Sequence, residues 1–126
     1  MTVSNAPHQI SVLLDPDDRL VAAVGGAARY LADAAGLGTE VIVQFQTSVV
    51  RACQHCFHCH SSLTPCGIIL RRSLDRLEVE VALPGTEPPP GQKPSWEGID
   101  EVHCESREHA AILRLTKYVP ANPPAD

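Results

Sequence analysis

The sequence predicts an α+β domain, a two-layer sandwich with helices on one face of a largely antiparallel sheet. Two segments with helical spacing of apolar residues come before two runs in which apolar and polar residues alternate and two further candidate strands. A turn at Asp75 joins two of the alternating segments and is too short for anything but an antiparallel hairpin. Helices grouped before an antiparallel sheet are typical of this class.

The predicted elements follow the order β-α-α-β-β-loop-β-β. A first strand at residues 9–14 leads to a helix that begins near Asp17 and ends at Gly36, a C-cap residue. Gly25 and Gly26 weaken this helix, so we expect close packing against a neighbour there. The second helix runs from Thr39 to Phe57 or slightly further, and the remaining strands are predicted at residues 67–74, 76–83, 99–105 and 110–119.

The stretch 84–94 contains five prolines and two glycines, which predicts an exposed loop and neither a helix nor a central strand. The N-terminus and the Pro-rich C-terminal tail flank a predicted core of about residues 8–119. With 126 residues and 44% hydrophobic content, the chain can bury one core. We therefore expect one domain over residues 1–126.

Composition argues against several classes of partner. The net charge is −5 and the only adjacent basic pair is Arg71 with Arg72, so we expect no nucleic-acid binding. The N-terminus has no signal-peptide pattern and no segment has the apolar length of a membrane span, so we expect a cytoplasmic protein without a membrane partner. Five cysteines, an odd number, fit a reducing compartment better than a disulfide framework.

Three segments carry a resemblance to one family. QHCF at 54–57 resembles the end of the first conserved helix of the anti-sigma-factor serine kinases, members of the GHKL or Bergerat-fold (histidine kinase-like) ATPase superfamily, whose helix carries Glu-x3-Asn-x3-His. RLEVEVALPG at 76–85 is similar to the family's RLEVxVxDxG strand, and ILRLTKYV at 112–119 is similar to its closing strand. The resemblance implies the GHKL fold over most of the chain.

The departures from the family pattern fall on its chemical residues. The family's general-base glutamate aligns with Thr47, its magnesium-binding asparagine with Arg51, and its adenine-reading aspartate with Leu83, while His55 and Gly85 remain. Threonine has no carboxylate and arginine cannot ligate a cation. The family's lid and lid helix are also reduced to a Pro-rich interval. The resemblance thus implies a degenerate pocket, no catalysis, and no ATP or Mg²⁺ as cofactor.

The residues that stand in the degenerate pocket support two interpretations. Thr47, Arg51, His55 and, if the helix extends that far, His58 lie on one side of the second helix and form one polar stripe. This stripe could bind an anion, such as a phosphate, a nucleotide without Mg²⁺, or an acidic side chain of a partner. It could equally be a solvated helix face.

A cluster of soft ligands follows in the same segment. Cys53, Cys56, Cys59, His60 and Cys66 are candidate ligands for zinc or an iron–sulfur cluster. Helical spacing, however, places the first two cysteines on the apolar face of the helix, where free cysteines pack as small hydrophobic residues. The third cysteine points away from that pair and is a candidate redox-sensitive thiol.

The resemblance implies a catalytically inactive regulatory domain that acts by protein–protein contact in bacterial signalling or transcription control. Its partner would be a sigma factor or a STAS-type antagonist, and the family also implies a homodimer. Two alternatives stay open at this point. The chain could be an ATP-binding anti-sigma serine kinase with atypical motifs, or a Cys/His metal-binding or redox-sensing module.

Overall fold

The computed structural model describes residues 8–15, 17–59, 65–84, 96–107 and 110–120. It is an α+β fold with a five-stranded antiparallel sheet and two helices. In chain order the elements are β1 (His8–Leu14), a 3₁₀ turn (Asp18–Leu20), α1 (Val21–Ala34), α2 (Thr39–Cys59), β2 (Cys66–Arg72), β3 (Arg76–Pro84), β4 (Glu101–Arg107) and β5 (Ala110–Tyr118). The predicted α+β class, the antiparallel sheet and the predicted order of strands and helices are confirmed.

The strands lie in the order β1-β2-β3-β5-β4, and every neighbouring pair is antiparallel. The predicted hairpin is the β2–β3 pair, in which Ser73 N–H donates to the Arg76 carbonyl oxygen at 2.9 Å. β5 inserts between β3 and β4, so β1 and β4 are the two outer strands of the sheet.

The core lies between the helices and one face of the sheet. Alternate residues of β2, β3 and β5 are buried, as expected when only one sheet face is covered: Cys66, Ile68, Leu70, Leu77, Val79, Val81, Ala111, Leu113 and Leu115. α1 contacts β1 and β2, and α2 contacts both α1 and β3. Neither of the two described helices has the length and apolar character needed to cross a membrane.

The first helix begins later than predicted and ends as predicted. A carboxylate oxygen of Asp17 accepts the backbone N–H of Arg19 at 2.9 Å, so this aspartate caps a 3₁₀ turn and the α-helix begins at Val21. At the other end, Gly36 has φ of 82°, and Leu37 N–H donates to the Ala32 carbonyl oxygen at 3.3 Å. This is a Schellman C-cap, which favours glycine because φ is positive.

The two glycines inside α1 have different surroundings. A Cβ added at Gly25 would lie 2.7 Å from Cγ2 of Val50 on α2, so this position needs glycine for close helix packing. A Cβ added at Gly26 would meet no atom within 4 Å. The predicted close packing is therefore confirmed for the first glycine and wrong for the second.

Most strand boundaries differ from the sequence prediction by one or two residues, and three of these differences have a visible cause or consequence. Pro84, predicted in the loop, is the last residue of β3, where its missing N–H interrupts no further ladder bond. Leu74 lies in the hairpin turn and is 96% exposed. β4 begins at Glu101 because a turn at residues 96–99 with Gly98 at φ of 79° precedes it. The rest of the predicted loop lies outside the described residues.

Candidate functional site

The candidate site lies on α2, whose two faces separate as the spacing predicts. Ile42, Phe45, Val49 and Ala52 are buried against the core, together with Cys53 and Cys56. This arrangement leaves the polar stripe of the helix facing outward. The helix therefore presents Thr47, Arg51 and His55 to solvent.

The exposed stripe of α2 consists of Val43, Thr47, Arg51 and His55, one residue on every fourth position. Val43 is 47% exposed, which adds an apolar contact surface to the polar residues that follow it. Leu83 is the penultimate residue of β3 and pairs with Ala111, but its side chain lies outside the described residues. Gly85 lies outside them as well, so the structure places three of the five predicted pocket residues, all on one helix face.

A turn docks against α2 next to this stripe, and the sequence prediction missed it. Ser48 is only 3% exposed, and its hydroxyl donates a hydrogen bond to the carbonyl oxygen of Glu97. A Cβ on Gly98 would lie 2.9 Å from the Cβ of Gln44 and from the backbone nitrogen of Phe45. The sequence signals were a serine at the border of the apolar helix face and an isolated glycine after a tryptophan.

Trp96 anchors the same turn. Its side chain is partly buried and packs against the core, as do those of Ile99, Val102 and Cys104. A tryptophan in a loop can either anchor that loop to the domain or offer contact area to a partner. The packing supports the anchoring interpretation, and the turn thus covers part of the sheet beside α2.

The buried cysteines behave as core residues. Cys53, Cys56 and Cys66 are each no more than 1% exposed, and the thiol of Cys66 donates to the carbonyl oxygen of Ala82 at 3.1 Å. Burial raises the pKa of Cys53 to about 12 and the pKa of Cys66 to about 11. Without a metal, both thiols stay protonated at neutral pH, and a protonated thiol is a poor nucleophile.

The candidate metal ligands divide between described and undescribed residues. Within the part of the chain that the structure describes, no three His, Cys, Asp or Glu residues lie where they could share a metal ion. The side chain of Cys59 and the whole of His60 lie outside that part. Zinc or iron–sulfur binding by the full set of five candidates therefore stays a prediction.

A charge cluster lies on the sheet face away from the helices. The carboxylate of Glu80, whose side chain is 8% exposed, accepts from Arg114 Nη2 at 2.7 Å and from Arg71 Nη1 at 3.4 Å. Arg114 also lies 3.3 Å from a carboxylate oxygen of Glu105 and 3.8 Å from one of Glu78. Each of these three carboxylates has an arginine partner on a neighbouring strand, so the ion pairs of the cluster link adjacent strands of the sheet.

An open groove of about 690 Å³ adjoins this cluster. Its lining includes Arg76, Glu78, Trp96 and His103, which combine both charge signs with an aromatic surface. Period-two alternation in residues 76–83 was the sequence signal for this face, because it places Glu78 and Glu80 opposite the buried apolar residues. The sequence prediction inferred a strand from that alternation but did not consider the polar sheet face that the alternation also implies.

Neither a protein-family model nor a curated protein sequence matches the chain. The resemblance to the anti-sigma kinases thus rests on the residues of this chain and their order alone.

Proposed function

We propose that the chain is a regulatory protein-binding domain with a GHKL-like fold that has lost ATP hydrolysis and phosphoryl transfer. The observation that carries the proposal is the pair Thr47 and Arg51, both exposed on α2 at the positions where the resembling family has its base and its magnesium ligand. A hydroxyl cannot accept the proton at neutral pH, and a guanidinium repels the metal that phosphoryl transfer needs.

The exposed stripe of α2 is suited to contact with another protein. Arg51 lies between Thr47 and His55, and Val43 extends the stripe by one helical turn. Arginine is enriched at the energetic centres of protein interfaces and forms bidentate pairs with carboxylates. An acidic segment of a partner would find on this stripe a cation, hydrogen-bonding side chains and an apolar contact. This is also the anion-binding interpretation of the stripe, with a protein as the source of the anion.

The proposed partner class follows from the resemblance. A sigma factor or a STAS-type antagonist would bind the domain in the bacterial cytoplasm, and binding would control transcription or a signalling response without a phosphoryl transfer. A fold alone does not fix function, so the partner must be tested directly.

The test is capture of partners from an extract of the native cell, with two matched charge reversals. Arg51→Glu changes the α2 stripe, while Arg29→Glu changes another exposed arginine, on α1. We expect the unmodified domain and the Arg29 variant to retain a sigma factor or STAS protein, and the Arg51 variant to lose it. Capture of no such protein, or equal capture by both variants, would show that the proposal is wrong.

The structure also bears on the redox alternative. A thiol sensor needs an accessible thiolate, whereas Cys53 and Cys66 are buried and the pKa of each is raised by burial. These two thiols are therefore unsuited to that role, and the redox alternative stays with Cys59, whose side chain lies outside the described residues.

A further inference from the structure

The groove beside the charge cluster borders an outer strand of the sheet. Its lining includes the consecutive residues 99–103, so it adjoins the backbone of β4 as well as side chains from both faces of that strand. β4 pairs with β5 on one side, and no strand in the described ranges pairs with its other side. Half of the backbone N–H and C=O groups of an outer strand point away from its neighbour and can pair with an extended segment. The groove therefore lies where the sheet can accept another strand.

The two arginines that line the groove are paired with carboxylates that do not line it. Arg76 Nη2 lies 3.1 Å from a carboxylate oxygen of Asp75, and Arg114 Nη2 lies 2.7 Å from one of Glu80. Pairs this short offset most of the positive charge of each guanidinium. The carboxylates in the lining are therefore not needed to neutralise these arginines.

Two carboxylates in the lining, Glu78 and Glu101, lack a close basic partner. Glu101 accepts a hydrogen bond from the hydroxyl of Tyr118, and this bond raises the pKa of the hydroxyl, so the donor is uncharged at neutral pH. Glu78 lies 3.8 Å from Nε of Arg114, a longer contact than that guanidinium makes elsewhere. Asp100, also in the lining, has a lysine at 3.3 Å. The groove thus keeps two carboxylates available to a positively charged ligand.

These two carboxylates flank one position of the sheet. Glu78 on β3 and Glu101 on β4 both pair in register with Thr116 on β5, which is only 5% exposed. The three residues share the sheet face away from the helices, and two strand spacings separate the carboxylate-bearing Cα atoms by about 10 Å. Trp96 lines the same groove. Carboxylates beside an aromatic ring attract a cation such as a lysine or arginine side chain.

A strand added to β4 would have to match both of its faces. On the face away from the helices, its side chains would lie opposite Glu101, where a basic residue forms a favourable cross-strand pair. On the other face they would lie beside Val102, which is partly buried and packs against the core, so apolar residues fit there. The fitting segment therefore alternates basic with apolar residues.

We propose that β4 pairs with an extended segment of a partner protein in which Lys or Arg alternates with apolar residues, so that basic side chains enter the groove at Glu101 and Glu78. The other outer strand, β1, has no Asp or Glu, and its Gln9 pairs in register with Arg71, so it offers such a segment no carboxylate. The site lies on the sheet and goes beyond the proposed function, because it depends on neither the α2 stripe nor the resemblance.

Fluorescence anisotropy with labelled peptides tests the site. The probe is a blocked heptapeptide of alternating lysine and valine, and its control carries glutamate in place of lysine. We expect the lysine peptide to bind and the glutamate peptide not to bind. Glu101→Gln and Glu78→Gln should each weaken binding about two- to fivefold, because each removes one side of an opposite-charge pair. Glu40→Gln, at the exposed start of α2, is the matched control and should leave binding unchanged.

A backbone test separates strand pairing from attraction of charges alone. Successive amide N–H groups of an extended peptide point to opposite edges, so methylating the lysine amides and methylating the valine amides block opposite edges. We expect one methylated peptide to lose binding and the other to retain it. Equal binding of the two methylated peptides would overturn the strand pairing.

Three further results would overturn the proposal: no binding of the lysine peptide, equal binding of the glutamate peptide, or equal weakening by Glu40→Gln. A protein that self-associates and binds neither peptide would assign the edge to a second copy and overturn it as well. Glutamine at position 101 keeps an oxygen that can accept the Tyr118 hydroxyl, and circular dichroism must show that each variant is folded.

Discussion

The contact between α1 and α2 at Gly25 gives a sharp stability prediction. Gly25→Ala would place a Cβ 2.7 Å from Val50 Cγ2, about 1 Å closer than carbon atoms pack comfortably. Overpacking of this kind costs about 1–3 kcal/mol, while alanine gains about 1 kcal/mol in helix propensity over glycine. With the overlap this severe, we expect a net loss of about 1–2 kcal/mol in the free energy of unfolding.

Gly26→Ala is the matched control, because the same substitution one residue later meets no atom within 4 Å. It should raise the free energy of unfolding by about 0.5–1 kcal/mol. The two variants should therefore differ by about 1.5–3 kcal/mol, or about 10 °C in Tm for a chain of this length. Urea and thermal unfolding followed by circular dichroism measure both quantities.

A third variant separates the clash from other effects of the substitution. Val50→Ala removes the methyl group that the new Cβ would meet, so its cost should be smaller in the Gly25→Ala background than in the unmodified protein. The packing argument is refuted if Gly25→Ala is as stable as Gly26→Ala, or if the two substitutions at the contact are simply additive.

Three other predictions concern single contacts. Glu80→Ala leaves two arginines without their shared carboxylate and should cost about 2–3 kcal/mol in urea unfolding, against less than about 1 kcal/mol for Glu78→Ala; equal losses would contradict this. Gly98→Ala should cost about 2–4 kcal/mol, because its φ of 79° disfavours a Cβ that would also touch α2. The free energy of unfolding should fall as pH rises from 9 towards 12, because the unfolded thiols of Cys53 and Cys66 ionise near 9.0 while their folded pKa values are about 12 and 11. Cys53→Ala should flatten this fall, and an unchanged slope would contradict the assignment.

Sequence reasoning succeeds where local pattern decides the structure. Alternation at residues 76–83 identifies β3, and helical spacing identifies the buried face of α2, including Cys53. Gly36 is recognisable as a C-cap because it is a glycine directly after the end of the apolar periodicity, and its positive φ in the structure agrees. These features depend on residues that are neighbours along the chain.

The features that sequence reasoning missed depend on contacts between distant segments. The insertion of β5 between β3 and β4 has no local signature, and neither does the docking of Ser48 on the turn at residues 96–99. The salt bridges of Glu80 require the register of three strands to be known before their partners can be named. The local sequence pattern predicts which residues face outward. Which residues they contact depends on how distant segments pair, and the local pattern does not show that.

The most direct test of the proposed function is a calorimetric titration of the purified protein with ATP and ADP, with and without Mg²⁺. Because Thr47 and Arg51 replace the base and the metal ligand of the resembling family, we expect no binding that depends on Mg²⁺. Mg²⁺-dependent ATP binding, followed by transfer of the γ-phosphate to a serine of a partner, would contradict a domain that regulates by contact alone.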